Sequence, residues 1–129
     1  MKNMWTKIML LGIGGFIGSN MRYWISNLVM NSLGSYIPYG TLIVNALGSF
    51  ILVFLAIYGT EVVEVDPRLR ILLGTGMMGA FTTFSTFSLE TFSLIKSSNY
   101  LLALINIVSN IGIGLCAAWL GFVAAKSLA

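Results

Sequence analysis

This chain of 129 residues has no histidine, one cysteine, two prolines and four acidic residues. A lone Cys116 excludes an intrachain disulfide. Without histidine, and with its acids scattered, the chain lacks the parts of an ordinary zinc site or catalytic triad. No nucleophile–base pair is visible, so an enzyme is not expected. The seven Lys and Arg residues leave a net charge of +3 and form no basic run, so no nucleic acid partner is expected either. Only 9% of residues are charged, against about a quarter in a soluble domain. A soluble fold of this size could not clothe its surface with so few charges.

What the chain has instead is apolar length. It is 57% hydrophobic, with a mean hydropathy of +0.92. A bilayer core takes about 20 apolar residues as helix. Four such stretches stand out, at about 8–30, 41–59, 69–95 and 100–124. The expectation is therefore an all-α, multi-pass membrane protein, a single four-helix transmembrane domain over residues 1–129. The basic, apolar N-terminus runs past signal-peptide length without a small-x-small cleavage site, so it reads as a retained first helix. The connections carry loop chemistry: Gly34, Pro38 and Gly40 in the first, three acids and Pro67 in the second, and "KSSN" in the third. Lys2, Lys7, Arg68, Arg70 and Lys126 share one face, with Lys96 and Arg22 toward the other. That bias places the termini in the cytoplasm. Gly14 and Gly18 form a GxxxG pair, a spacing that lets helix backbones approach closely.

Lipid offers no hydrogen bonds, so polar groups at depth need protein partners or a watered path. The short polar inventory is therefore informative. In "GAFTTFSTFSLE", residues 79–90, Thr82, Thr83, Ser85, Thr86 and Ser88 lie among phenylalanines near the middle of the third span. One or two hydroxyls could bond back to the preceding turn. Five in seven positions, after Gly74, Gly76 and Gly79, point to a broken helix whose freed carbonyls can hold a cation. Phe81, Phe84 and Phe87 recur at a spacing of three, which puts them in one stripe on a helix face. Such rings can pack or face lipid; alternatively their positive edges can receive a small anion. Asn106 and Asn110 share a face of the fourth span, and Asn45 adds an amide from the second. Either these amides bond between helices, or they form a polar track. Arg22, four residues after Gly18, either snorkels to the interface or draws anions to a pore mouth. No carboxylate lies in the central part of any span, which favours an anion over a cation as cargo.

The combination "GGFIGSNMRY", "GTLIVNALGSF" and "GMMGAFTTFSTFSLE" resembles the Fluc/CrcB family of fluoride channels over nearly the whole chain. The resemblance implies an antiparallel, dual-topology homodimer in the cell inner (plasma) membrane. It implies two pores along the dimer interface through which cytoplasmic fluoride leaves passively. It also implies a third helix broken near the midplane, where the carbonyls of Gly79 and Thr82 from both chains hold a structural sodium ion. Phe84 and Phe87 would be the pore rings, Asn45 the pore-mouth amide and Arg22 the vestibule arginine. Thr83, Ser85 and Thr86 complete the matched motif. The chain departs from the family at Ala80, often a glycine there, and at Asn106 and Asn110, which stand where a tyrosine and a serine are usual.

Two other readings compete. A small proton-coupled exporter of cationic drugs also has four helices, and Glu90 is the sole candidate for its coupling acid. A non-transporting bundle within a larger assembly is the third.

Overall fold

The chain begins its first helix where Asn3 can cap it: the Asn3 side chain accepts a hydrogen bond from Trp5 N at 3.0 Å. The computed structural model describes residues 3–129, and Lys2, counted above among the cations, lies outside them. Helix α1 spans Met4–Leu33 and ends at Gly34, whose φ of 87° is the left-handed conformation glycine adopts freely. Helix α2, Tyr39–Ile57, starts immediately after Pro38 and runs on into a π-helical turn, Tyr58–Val62.

Asp66 caps the next segment, accepting from Arg68 N at 2.7 Å, with Pro67 at its first position. Pro67–Arg70, the π-helical stretch Ile71–Met78 and Gly79–Phe81 continue as one rod, here α3. The rod stops at Thr82 and Thr83, whose ψ angles of 154° and 113° are extended. Helix α4, Phe84–Lys96, resumes directly. A tight turn with Ser98 at φ 62° leads into α5, Tyr100–Lys126. No strand occurs among the described residues.

Two of these helical stretches, Tyr39–Val62 and Tyr100–Lys126, are long and apolar enough to cross a membrane, with hydropathies of 2.2 and 2.0. The other two expected spans differ for physical reasons. Helix α1 is long, but Ser19, Asn20, Arg22, Ser26 and Asn27 dilute its apolar character. The third span is divided by its break.

Small residues set the packing. Helix α2 packs most extensively on α5, and α1 on the π-helical part of α3. A Cβ on Gly121 would collide with Phe50 O, and one on Gly18 with Met77 O. Gly14 lies equally tight against Leu72 O, so the Gly14–Gly18 spacing does bring two backbones together. Gly12, Gly15 and Gly112 meet nothing within 4 Å. Val44, Met78 and Phe81 form the buried core, joined by Met21, Ile25 and Ile51.

The exposed apolar side chains outnumber the buried ones. Leu101, Leu104, Val108, Ile111 and Leu115 run down α5 at exposures between 55% and 70%. Such a surface suits a hydrocarbon solvent and not water.

Candidate functional site

The break in the third span is a set of hydrogen bonds redirected away from the helix. In an unbroken helix Thr83 N would serve Gly79 O, four residues back. Here it donates to Asn45 Oδ1 at 2.8 Å, while Asn45 Nδ2 donates to Thr83 O at 3.2 Å. One side-chain amide from α2 thus pairs with both polar groups of the Thr83 backbone. That pairing fixes which end of the Asn45 amide points where.

Thr83 then caps α4. Its Oγ1 accepts from Thr86 N at 3.1 Å and donates to Thr86 Oγ1 at 3.0 Å, with Ser85 Oγ at 3.3 Å. Capping diverts Thr86 N from Thr82 O. The carbonyls of Gly79 and Thr82 are therefore the two whose helical donors are taken by other acceptors. Gly79 is exposed and Thr82 half-buried. Thr82 also bonds back, its N and Oγ1 each 3.1 Å from Met78 O. Thr82 O lies on extended backbone and Gly79 O in the last turn of α3, both freed acceptors at a helix break.

The break also rearranges the phenylalanines. The expected single stripe of Phe81, Phe84 and Phe87 does not form, because Phe81 belongs to α3 and the other two to α4. Phe81 is 1% exposed in the core. Phe84 and Phe87 remain neighbours, their ring centroids 5.6 Å apart and tilted by 55°. Phe87 is buried and Phe84 is 79% exposed, so the pair spans from the interior to the open face.

Beside the break lies a cavity of about 390 Å³, lined by Arg22, Ser26, Thr41, Thr83 and Thr86 among others. Arg22 is half-buried there, and no carboxylate among the described residues lies within ion-pair distance of it. Its position, eleven residues before the end of α1, is deeper than the sequence implied, because α1 extends to Leu33. A cavity with a guanidinium and several hydroxyls attracts an anion and offers it donors.

Asn106 and Asn110 extend the polar cluster along α5. Asn110 Oδ1 accepts from Asn45 Nδ2 at 3.1 Å, and Asn110 Nδ2 donates to Asn106 Oδ1 and Asn106 O, each at 3.0 Å. Asn106, 1% exposed, donates to Thr91 Oγ1 at 2.9 Å. Ser88 merely bonds back to Phe84 O.

Three participants carried little sequence signal. Thr41 donates to Glu90 Oε1 at 2.6 Å across 49 residues, leaving Glu90 Oε2 buried with no partner among the described residues. Thr91 is buried between Asn106 and Phe87 O. Ser26 faces the cavity from α1. Thr91 lies four residues after Phe87, which is the only hint of its side; the contacts of Thr41 and Ser26 depend on helices meeting.

A family model described as CrcB-like protein, Camphor Resistance (CrcB), matches residues 9–122. The chain is 48% identical over 105 residues to a protein of Methanococcus aeolicus named fluoride-specific ion channel FluC, covering 81% of this chain and 83% of that one. It is 44% identical over 115 residues to a protein of the same name from Dehalococcoides mccartyi, covering 89% and 88%. A third, from Oceanobacillus iheyensis, carries the same name at 40% identity over 114 residues, covering 88% and 87%. With its helical architecture and oily exterior, the chain is a membrane protein belonging to the CrcB-like family.

Proposed function

We propose that this protein is a fluoride-selective ion channel through which cytoplasmic fluoride leaves passively. The observation that carries this reading is the cavity of Arg22, Thr83 and Thr86 beside a broken helix, in a chain so similar to proteins named for fluoride conduction. Fluoride is small and tightly hydrated. Its shell must be replaced step by step by donors that bind weakly enough to let go. Hydroxyls at Thr83, Ser85 and Thr86 and the positive edges of Phe84 and Phe87 supply neutral dipoles. Arg22 raises the local anion concentration without a covalent or coupled step. No coupling group is needed for downhill flow.

The assembly proposed is an antiparallel, dual-topology homodimer in the cell inner membrane, each copy crossing it four times, with two pores at the interface. In its support, a single copy leaves Thr75, Gly79 and Ser85 exposed on the third span. Lipid cannot satisfy such groups, whereas a second copy can cover them. The carbonyls of Gly79 and Thr82 would hold a structural sodium ion between the copies. Bound there, sodium would offset the partial negative charge of those carbonyl oxygens. Asn45, Asn106 and Asn110 border the pore.

The test is fluoride efflux from liposomes carrying the purified protein, read by an ion electrode, for wild type, Phe84→Ile and Phe87→Ile. Efflux that depends on the protein and falls in both variants supports the reading; a protein-independent leak rejects it.

A further inference from the structure

The three asparagines invite one reading as open donors along the pore, yet the hydrogens of Asn45 and Asn110 point elsewhere. Asn45 Nδ2 has two N–H groups, and they go to Thr83 O and Asn110 Oδ1. Asn110 Nδ2 likewise has two, and both go to Asn106, one to its backbone and one to its side chain. An amide with both hydrogens engaged has none for a passing anion. The direction of the chain is fixed at its Thr83 end, because Thr83 N needs an acceptor and Thr83 O a donor. Asn45 therefore turns its oxygen to the one and its nitrogen to the other. Asn110 must then present its oxygen to Asn45 and its nitrogen to Asn106.

We infer that Asn110 and Asn106 are positioning residues that hold the helix break by orienting Asn45, and that Asn110 does not ligate the conducted ion. The relay runs from Thr91 on α4 through Asn106 and Asn110 on α5 to Asn45 on α2 and ends at the Thr83 backbone. It ties two points of the third span, on either side of the Phe84–Phe87 pair's first turn, to one rigid ladder. Asn106 is 1% exposed and Thr83 and Thr91 under 9%, so water does not substitute for a missing rung. The consequence is that the carbonyl of Gly79 stays free only while Asn45 keeps Thr83 N. If the ladder loosens, Thr83 N is released to Gly79 O and the break can close. The inference rests on the channel reading for its flux measurement but not for its structural one.

The experiment uses ¹⁵N-labelled protein in nanodiscs, together with liposome efflux. In wild type, the side-chain amide signals of Asn45 and Asn110 should exchange slowly with water and stay in place when sodium fluoride is added. Fast exchange, or a fluoride-dependent shift of those signals, overturns the inference and makes them ligands. In Asn110→Ala, the Thr83 backbone amide should shift and exchange roughly fivefold faster, the weight of one buried hydrogen bond. Fluoride efflux should fall in Asn110→Ala and in Asn45→Ala, and the double variant should be no slower than Asn45→Ala within about twofold, as for residues acting through one another. Losses that multiply, or an unmoved Thr83 signal, contradict the relay. If wild type carries no fluoride at all, the channel reading fails while the Thr83 signal still decides the ladder. Should Asn110→Ala not fold, the wild-type exchange and titration decide alone.

Discussion

Replacing Thr83 with valine removes one hydroxyl and keeps the shape. Thr83 is 7% exposed, so the new methyl occupies the old volume. Its φ of −150° and ψ of 113° are extended, a conformation that β-branched residues favour. What disappears is the cap on Thr86 N and the contacts to the Thr86 and Ser85 hydroxyls. A lost N-cap costs about 1 kcal/mol. Two hydroxyl contacts in a membrane protein add about 0.6 kcal/mol each, so Thr83→Val should destabilise by about 2 kcal/mol. Ser88→Ala is the matched control. Ser88 is exposed and bonds only to its own helix, and such back-bonding contributes little. The assay is reversible unfolding in mixed detergent, followed by the fluorescence of Trp5, Trp24 and Trp119. If the two variants differ by less than about 0.5 kcal/mol, well under a single lost cap, Thr83 is not the cap of α4. The hydroxyl cluster would then be plain back-bonding.

Four further outcomes follow from the packing and the charges. Gly18→Ala and Gly121→Ala should each cost roughly 1–3 kcal/mol through overpacking against Met77 O and Phe50 O, as judged by the same unfolding assay. Gly112→Ala, which meets nothing within 4 Å in one copy, is the comparison and should not lose stability as a monomeric fold. Lys126→Met breaks the ion pair to Glu61, whose partners are 45% and 43% exposed, and should change stability by under about 1 kcal/mol, less in high salt. Glu90→Gln keeps an acceptor for Thr41 and removes any coupling proton. A proton-coupled exporter of lipophilic cations would lose all uptake in that variant, whereas a channel shows no proton-driven uptake before or after.

The sequence made the helices and the neighbourhood of the break legible, because apolar length and clustered polar residues are local signals. Five hydroxyls after three glycines mark where a membrane helix is weak. They do not say which peptide yields. That is decided by Asn45, 38 residues away, which takes Thr83 N out of the helix. The spacing of Phe81, Phe84 and Phe87 misleads for the same reason: periodicity assumes continuity, and the break sends Phe81 to the core. The Gly14–Gly18 spacing was readable as a close approach, but its partner, Met77, was not. Thr41–Glu90 and Asn106–Thr91 are pairs between helices, and no local pattern announces them. The asparagines were visible as a polar group. Whether their hydrogens face a pore or one another depends on geometry that spacing does not carry. The five-residue hydrogen-bond register of Ile71–Met78 also left no mark in composition beyond its glycines.

The most direct measurement loads liposomes bearing the purified protein with equal fluoride and chloride and follows both ions as they leave. The account predicts rapid, protein-dependent loss of fluoride with chloride retained. Equal efflux of the two ions, or chloride leaving faster, would contradict it.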